Sequence, residues 1–536
     1  MKVWLPLTAL ALAQFVMVLD QAVMNVSISQ LVEDFDTTVT TIQGVITLYT
    51  LVMAMFMLTG GKIGDIVGRK RAFVIGLIIY AAGSALTAVS QSVLMLTIGW
   101  SVLEGLGAAL VLPALVALIA GNYEGRERVT AFAIIGGVAG VGIAVGPILG
   151  GWATTMLSWR IVFVGEVILV LIILALVRFV RDAPREGSRP SLDVVGSALS
   201  ALGLGAIVLG ILMSSTWGFV QPKDSPITPP GFSLTIYVIG AGVALLFAFV
   251  RWERHREATG QDPLVHLDLL KIKSLRAGLG SLLSQNLILM GIFFVVPLYL
   301  QLVLGLNALE TGIKMLPVSI TMFVTSALGA RLVLRYSVRT IIRAGLIIDA
   351  VAIVILIGAI EPSLESLAFA LSMAFLGVGM GLLASQLGNV VQSSVDASGR
   401  SEAGGLQYTS QQLGSSLGVA LIGAVVIIAL SSNFLTIIAT DERISDEIAS
   451  GIDVAVDGSV EFLATDDVAE AVEQSGVDEA TGAAIVEDYE SAQLQALRTG
   501  LLVAAVIALL SLMFTRDLPS RRPTATSQAV SPLVTT

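Results

Sequence analysis

Residues 43–90 read QGVITLYTLVMAMFMLTGGKIGDIVGRKRAFVIGLIIYAAGSALTAVS. Two apolar runs, near 43–60 and 72–90, are separated by eleven residues that hold glycines, an aspartate and a basic cluster. Each run, as a helix, is long enough to cross the hydrocarbon core of a bilayer, which is about 30 Å thick. The segment therefore predicts two membrane-spanning helices joined by a short polar turn.

The same alternation of apolar runs and polar punctuation continues along almost the whole chain of 536 residues. Hydrophobic residues make up 55% of the chain and charged residues only 13%, against roughly 25% charged residues in average soluble domains. We therefore predict an all-α integral membrane protein with about fourteen spanning helices. The runs lie near 4–29, 43–60, 72–90, 93–119, 130–152, 160–178, 192–213, 233–251, 277–303, 312–334, 340–360, 366–390, 402–431 and 494–515.

The basic residues indicate how the chain is oriented. An even number of spans puts both termini on one side of the membrane, and segments on that side hold 25 of the 30 Lys and Arg residues. Because cytoplasmic loops carry an excess of Lys and Arg, we predict that both termini are cytoplasmic. The first run contains Asp20 and other polar residues and no small-residue cleavage site, so we interpret it as a spanning helix rather than a signal peptide.

Several kinds of site are disfavoured by composition. The chain has no Cys, which excludes disulfides and Cys-ligated metals, and its two His residues, His255 and His266, fall in one polar loop. The sequence has no phosphate-binding loop of the G-x-x-x-x-G-K type. We expect no catalytic site, no metal, no cofactor and no nucleic-acid partner.

Residues 431–492 account for the net charge of −10, because they hold sixteen acidic residues against the single base Arg443. The stretch 478–497 is rich in Ala, Glu and Gln, which favours a helix. Two interpretations of the segment stay open. It is either a solvated excursion between the last two spans or an acidic collar that concentrates cations at the mouth of the protein.

The turn between the second and third spans carries Gly61, Asp65, Gly68, Arg69 and Lys70. The glycines permit a tight turn, and Asp65 can pair with a basic neighbour or cap the next helix. A merely basic cytoplasmic loop would explain the arginines but not the Gly and Asp spacing. We therefore predict an ordered turn rather than a merely basic loop.

The fifth span contains Gly142, Gly146 and Gly150, spaced four residues apart, together with Pro147 and Gly151. The spacing forms one smooth ridge on which another helix can pack closely. Pro147 has no N–H to donate to the carbonyl four residues earlier, so the helix should bend there. Packing alone would account for the glycines but not for the proline, so we predict a gating helix.

Three acids lie within predicted spans of the first half of the chain: Asp20, Glu104 and Glu166. An ionised carboxylate at mid-membrane costs roughly 2.5–3.5 kcal/mol or more. Desolvation and mutual repulsion both favour the protonated form, so we expect at least one of them to hold a proton near neutral pH. They are candidates for proton coupling, and the alternative for each is a protonated side chain bonded to a neighbouring helix.

Polar residues in other spans are candidates for lining a substrate cavity, although such residues also serve as hydrogen-bonding contacts between helices. Asp349, in the middle of the eleventh run, is the lone carboxylate in the interior of the last six runs; it could instead face Arg343 or lipid headgroups, and we do not assign it to substrate binding. The cavity candidates are Gln21, Asn25, Ser101, Gln285, Asn286, Asn389, Gln407 and Gln411.

The turn at 61–71 and the ridge at 142–151 together resemble two motifs of the major facilitator superfamily, its loop motif between helices two and three and its antiporter motif in helix five. Leu19-Asp20 through Asn25-Val26 is similar to the first-helix signature of the fourteen-span drug:proton antiporter branch, and Trp159-Arg160 also matches. Where the family usually has Arg and Gln in the fourth span and an amide in the sixth, this chain has Ser101, Glu104 and Glu166.

The resemblance implies a major facilitator fold of two six-helix bundles plus two extra central helices, with a cavity that opens alternately to each side. It also implies that the turn from Gly61 to Lys70 takes part in gating. The boundaries we predict are 1–190 for the first bundle, 191–276 for the two additional spans and a basic loop, 277–430 for the first five helices of the second bundle, 431–492 for the acidic external segment, 493–515 for the last span and 516–536 for a disordered cytoplasmic tail.

The resemblance further implies a secondary active exporter that exchanges amphipathic, drug-like compounds, cationic or neutral, for protons. A cation that enters the cavity would favour ionisation of an acid and release of its proton. The partners expected are the small-molecule substrate, protons and the lipid of a bacterial plasma membrane, with the protein a monomer. The alternatives are export of an endogenous metabolite or lipid-like molecule, and a sensor or assembly platform without transport.

Overall fold

The computed structural model describes residues 4–123, 125–182, 191–223, 225–333, 335–363, 366–396, 399–456, 460–475 and 477–520. Fourteen helical segments among them are long and apolar enough to cross a membrane, and each overlaps one predicted run. The predicted all-α membrane fold is therefore confirmed. In chain order the α-helices are α1 Leu5–Val26, α2 Ile28–Phe35, α3 Val39–Val67, α4 Arg69–Ala88, α5 Val93–Leu96, α6 Gly105–Asn122, α7 Gly125–Met156, α8 Arg160–Leu176, α9 Val194–Trp217, α10 Leu234–Ala258, α11 Lys273–Leu298, α12 Ala308–Leu332, α13 Val338–Ala359, α14 Ser366–Ser393, α15 Arg400–Ile438, α16 Asp446–Val456, α17 Thr465–Gln474 and α18 Glu479–Ser511.

The ends of several spans are fixed by polar caps in the loops. Asn307 and Glu310 form a reciprocal capping box at the start of α12. The backbone N–H of Glu310 donates to Asn307 Oδ1 at 2.9 Å, and the backbone N–H of Asn307 donates to Glu310 Oε2 at 3.0 Å. Asp193 caps α9 by accepting the N–H of Gly196 at 2.8 Å. Such caps satisfy N–H groups that the helix itself leaves unpaired, so they define where the chain enters the apolar core.

The helices form two repeats of six with the same pattern of contacts. The first repeat is α1, α3, α4, α5–α6, α7 and α8; the second is α11, α12, α13, α14, α15 and α18. In each repeat the first helix packs on the fifth, the second on the fourth, and the third on both the fourth and the sixth. This correspondence allows a position in one repeat to be compared with its counterpart in the other.

The two additional helices lie against the seam between the repeats. α9 contacts both α3 and α15, while α10 packs mainly on α9. A small apolar cluster of Leu51, Val208, Leu212 and Ala420 joins α3, α9 and α15. α9 therefore touches both repeats at once.

Glycine ridges bring the first and fifth helices of each repeat together. Gly142, Gly146 and Gly150 of α7 face α1, where a Cβ at Gly150 would lie 2.9 Å from the Cα of Val23. In the second repeat, Gly418 of α15 faces the carbonyl of an α11 residue so closely that a Cβ would collide with it. The close approach of helix backbones through small residues is a common basis of packing in membranes.

The acidic segment folds back onto the spans that flank it. Tyr489 and Gln493 of α18 donate to the carbonyls of Glu461 and Leu463, both at 2.7 Å. Arg443 pairs with Asp441 at 2.7 Å, and the hydrogen bonds from Arg443 hold the pKa of Asp441 below its ordinary value. α18 continues without a break from this segment into the last span.

Replacing Gly418 by Ala should destabilise the protein by about 1–3 kcal/mol, because the added methyl has no space between α15 and α11. The matched control is Gly358→Ala, at an exposed position of α13 where a Cβ would meet nothing within 4 Å. That change should be neutral or stabilise the helix by up to about 1 kcal/mol. Thermal unfolding followed by tryptophan fluorescence measures both; equal midpoints for the two variants would contradict the packing described.

Candidate transport site

Asp20, Glu104 and Glu166 come together inside the first repeat. Asp20 lies on α1, Glu104 at the junction before α6, and Glu166 on α8. One carboxylate oxygen of each lies within 4.8 Å of the others, and the residues are 0%, 0% and 1% exposed. The three acids identified from the sequence therefore form one buried cluster, the acid cluster.

A local widening of the helix positions Glu104. Residues Thr97–Glu104 form π-helical turns between α5 and α6, a feature often found at functional sites. Trp100, four residues before Glu104, donates its Nε1–H to Asp20 Oδ1 at 2.8 Å. Its indole stacks on the ring of Tyr49 with centroids 4.5 Å apart and planes 7° apart.

α4 supplies the remaining donors to the acid cluster. Tyr80 and Ser84 each donate a hydroxyl to Glu166 Oε2 at 3.2 Å, and Thr87 donates to Glu104 Oε1 at 3.3 Å. The sequence analysis missed these residues. Their spacing of i, i+4 and i+7 places three hydroxyls on one face of an otherwise apolar span, which is the signal that could have revealed them.

The acid cluster has more oxygens than partners. Asp20 Oδ2, Glu104 Oε2 and Glu166 Oε1 are buried without a hydrogen-bond partner, and no Lys, Arg or His of the described residues pairs with any of the three acids. Three like charges so close together in an apolar interior repel one another strongly. The arrangement can store and release protons; its oxygens are also of the kind that hard cations take as ligands.

Gln21 faces a different direction from its neighbour Asp20. Its Nε2 lies 3.4 Å from Oε1 of Gln412 on α15 and 3.7 Å from the sulfur of Met53 on α3. Gln21 and Gln412 thus meet where the two repeats face each other. Gln412, which sequence reasoning passed over in favour of Gln411, is the residue that reaches α1.

Three other predicted cavity residues bond to backbone within the protein. Ser101 is fully buried and donates to the carbonyl of Val45 at 2.8 Å. Asn25 donates to the carbonyl of Gln21 at 2.7 Å, and Gln285 donates to the carbonyl of Met380 at 3.1 Å. These contacts join or brace helices, and a role of the three residues toward substrate stays a prediction.

The remaining cavity candidates are more open. Asn286 and Gln411 are half-buried, and Asn286 donates to a carbonyl of its own helix at 2.9 Å. Gln407 accepts from Gln392 at 3.4 Å, whereas Asn389 is exposed. The structure does not gather the eight candidates at one point.

The loop motif ties α3 and α4 to the end of α8. Gly68 has a φ of 107°, a conformation that favours glycine. Asp65 accepts two hydrogen bonds from Arg69 at 3.1 and 3.2 Å. Lys70 donates its Nζ to the carbonyl of Val180 at 2.7 Å, while Gly61 lies beside Pro113 of α6. The motif therefore fixes the ends of three helices relative to one another.

Pro147 creates a bond between the two repeats. Because Pro147 has no N–H, the carbonyl of Ile143 loses its partner within α7. Ser319 of α12 donates its hydroxyl to that carbonyl at 3.1 Å. Nearby, Gly151 faces the backbone of Ala308 so closely that any side chain would collide.

Further contacts close the same end of the interface between the repeats. Ser29 donates to Gln301 Oε1 at 2.5 Å, and Gln301 donates to the carbonyl of Val26 at 2.9 Å. The N–H of Leu309 bonds to the hydroxyl of Thr155 at 3.1 Å. At the opposite end, α1 and α7 leave an open apolar groove of about 540 Å³. Its lining residues fall within 4–15 and 134–141.

Trp159 and Arg160, which open α8, both bind Asp34. Trp159 Nε1 and Arg160 Nη1 donate to Asp34 Oδ2 at 2.8 and 2.7 Å, and Arg160 also donates to the carbonyl of Ser90. Burial opposes ionisation of Asp34, but the hydrogen bonds from Trp159 and Arg160 outweigh it and lower its pKa. The ion pair joins α2 to the start of α8.

The sequence model that describes the Major Facilitator Superfamily matches residues 10–220 and 191–419 of this chain. The probable actinorhodin transporter of Streptomyces coelicolor is 30% identical over an alignment that covers 79% of this chain and 72% of that protein. The puromycin resistance protein of Streptomyces alboniger is 31% identical, with 79% and 81% covered. A bacterial homolog of the human lysosomal transporter Spinster, solved by crystallography, is similar with a TM-score of 0.60 at 16% identity over 99% of both chains, which is a likeness of fold alone.

Ser319→Ala should weaken closure between α7 and α12. A hydrogen bond between membrane helices contributes about 0.6 kcal/mol, so the ratio of closed to open molecules should fall about threefold. Because the chain has no Cys, spin labels on Leu157→Cys and Ile313→Cys can report the distance between these ends. Ser511→Ala, whose hydroxyl bonds only within α18, is the control; identical distance distributions for the two variants would refute the proposed contribution of Ser319.

Asp34→Asn should lower thermal stability at neutral pH. Because the pKa of Asp34 is lowered in the folded protein, its stabilising effect is present above the unfolded value of about 3.9 and is lost as pH falls through the folded value. The difference in unfolding midpoint between wild type and variant should therefore shrink below about pH 4. Unfolding followed at pH 7, 5 and 3 tests this, with Glu33→Gln as the neighbouring control; a difference that stays constant with pH would exclude the ion pair as its source.

Proposed function

The chain belongs to the major facilitator superfamily, and we propose that it is a secondary active exporter that moves small amphipathic, drug-like compounds, cationic or neutral, in exchange for protons. The observation that carries the proposal is the acid cluster. Three carboxyl groups share one buried site with fewer donors than oxygens, and protons are the simplest means of neutralising them. A proton gradient then serves as the energy source without a cofactor.

The position of Asp20 and Gln21 on α1 supports coupling between proton and substrate. Asp20 points into the acid cluster, whereas Gln21 points toward Gln412 at the interface of the repeats. The stacked rings of Trp100 and Tyr49 are fully buried beside Asp20. A change of charge on Asp20 therefore acts on the substrate side through the position of α1 and Trp100, without requiring contact between substrate and carboxylate.

The substrate class is supported by the relatives and by the apolar surfaces of the chain. The relatives are named as an actinorhodin transporter and a puromycin resistance protein, and we extend export of such compounds to this chain. The groove between α1 and α7 is lined almost entirely by apolar side chains, among them Trp4 and Phe15. Such walls suit compounds with hydrophobic bulk, and Thr8 is the polar side chain of the lining.

The direction of transport follows from the predicted orientation in a bacterial plasma membrane. With both termini cytoplasmic, the end closed by Ser319, Gln301 and Thr155 is external. The open groove near the start of α1 then faces the cytoplasmic half of the membrane. We propose that substrate enters from this side, and that the turn at Gly68 and the ridge that ends at Gly151 belong to the elements that move for release.

The protein reconstituted in liposomes should accumulate ethidium, a lipophilic cation, when the lumen is acidic. Asp20→Asn, Glu104→Gln and Glu166→Gln each remove one ionisable group, and at least one should abolish gradient-driven uptake while ethidium binding, measured by fluorescence anisotropy, stays within about threefold. Asp268→Asn, at an exposed acid paired with Lys271, is the control. Uptake by wild type that is unchanged when an ionophore collapses the pH gradient rejects proton coupling.

Export of an endogenous metabolite is the second candidate, since one relative is named as the transporter of a single compound, actinorhodin. Competition separates the two cases. A drug exporter should transport several unrelated lipophilic compounds that inhibit one another, whereas a dedicated exporter should take up none of them while still responding to the pH gradient with its own substrate.

A further inference from the structure

We propose that Asp349 is a second proton-carrying site, located in the second repeat, so that each export cycle uses protons bound in both repeats. This inference rests on the proposed proton-coupled export. It assigns a role to a buried carboxyl group that the acid cluster does not include.

Asp349 is enclosed at the interface of α13 and α14. The residue is 0% exposed, and neither of its carboxylate oxygens has a hydrogen-bond partner. Gly379 of α14 packs directly on Oδ1, where a Cβ would collide with it, and Gly345 lies one turn earlier on α13. The glycines leave room for a carboxyl group but supply no donor side chain.

Among the described residues, no neighbouring charge stabilises an ionised Asp349. α14 carries no titratable side chain between 366 and 393. Arg343, one of two bases on α13, donates to the hydroxyl of Thr515 at 2.8 Å and does not reach Asp349. The other, Arg339, donates to the carbonyl of Leu518 at 2.7 and 2.9 Å.

The charged groups of the other elements packed on α13 also lie at its ends. On α18, Arg498 donates to the carbonyl of Ile360, just beyond the end of α13, at 2.6 and 3.1 Å. The acids and the tyrosine of α18 fall in its first twelve residues, before Arg498. Arg516 and Asp517 lie in the segment after α18, where Asp517 is 3.8 Å from Arg276. An ionised carboxylate at Asp349 would therefore stand alone in the membrane, which is strongly unfavourable, and the proposed site accordingly holds a proton in this conformation.

The repeat relationship places Asp349 opposite the position of Glu104. In the first repeat, Gly83 of α4 packs on Glu104, with a Cβ at Gly83 falling 2.6 Å from Glu104 Cγ. In the second repeat, the acid is on the third helix and the glycine, Gly379, on the fourth. In each repeat a carboxyl group therefore packs against a glycine between the third and fourth helices. The acid is on the fourth helix in the first repeat and on the third helix in the second.

Asp349 is also connected through α14 to α11, the first helix of the second repeat. Gln285 of α11 donates to the carbonyl of Met380, the residue that follows Gly379. A shift of α14 that exposes Asp349 to water would therefore disturb this bond. Release of the proton from Asp349 to water would leave a carboxylate, and the cost of that charge ensures that the helices close again only after a proton is rebound.

The experiment compares the ethidium ratio across liposome membranes in wild type, Asp349→Asn and the control Asp268→Asn, with the membrane potential clamped at zero by K⁺ and valinomycin. If one exchanged proton is lost, the ratio sustained by a one-unit pH gradient should fall about tenfold in Asp349→Asn. An unchanged ratio in an active Asp349→Asn protein overturns the second site and leaves proton-coupled export intact. A wild type that ignores the pH gradient rejects the proposed function itself.

Infrared difference spectra after a pH jump provide a readout that does not depend on transport. Wild type should show a protonated-carboxyl band that changes with pH and is missing from Asp349→Asn, whereas a band that is constant at every pH assigns Asp349 a purely structural proton and overturns the proposal. Asparagine is nearly isosteric and neutral, so the variant should unfold at the same temperature as wild type. This comparison remains decisive if Asp349→Asn proves inactive.

Discussion

Inside a bilayer no water is available to satisfy a polar group, so each one must find its partner within the protein or bear the cost. The contact between α7 and α12 is a consequence of this constraint. Pro147 deprives the carbonyl of Ile143 of a donor, and the hydroxyl of Ser319 comes from the other repeat to replace it. The same need explains why Gln43 donates across the interface to the carbonyl of Val419 at 2.9 Å. Bonds that satisfy buried polar groups thereby become bonds between the two repeats, which the proposed transport cycle requires to separate.

The same constraint applies to the carboxylate oxygens of the acid cluster. Hydrogen bonds satisfy one oxygen of each member of the acid cluster, from Trp100, from Tyr80 and Ser84, and from Thr87, and leave the second oxygen without a partner. A carboxyl group with one bonded and one unbonded oxygen is held in place, yet its free energy still depends strongly on whether it is charged. The cluster is built from α1, α4, α8 and the turn before α6, so under the proposed mechanism a change in its protonation would reach most of the first repeat.

The internal repetition of the fold distributes these features between the two halves. Both repeats pack their first helix on a glycine face of the fifth, and both place an acid against a glycine between the third and fourth helices. The repeats differ in their polar content, however. The first holds a cluster of three acids, whereas the second holds Asp349, away from the buried Asp488 near the start of α18, together with a series of amides and hydroxyls that bridge helices.

The sequence by itself determined the fourteen spans, because the length of an apolar run is a local property that a bilayer of fixed thickness selects. It also determined which residues would be costly to ionise inside a membrane, namely Asp20, Glu104, Glu166 and Asp349. The spacing of Gly142, Gly146 and Gly150, which fits a close packing face, was likewise readable from the sequence. Only the tertiary structure decided which of these residues meet. It joined three of the acids, left Asp349 apart from Arg343, turned Ser101 and Gln285 toward backbone carbonyls, and paired Gln21 with Gln412 rather than Gln411. Such choices depend on how each helix is rotated about its axis. Contacts with residues far away in the chain set that rotation. A span with few polar residues has an apolar pattern that does not specify the rotation.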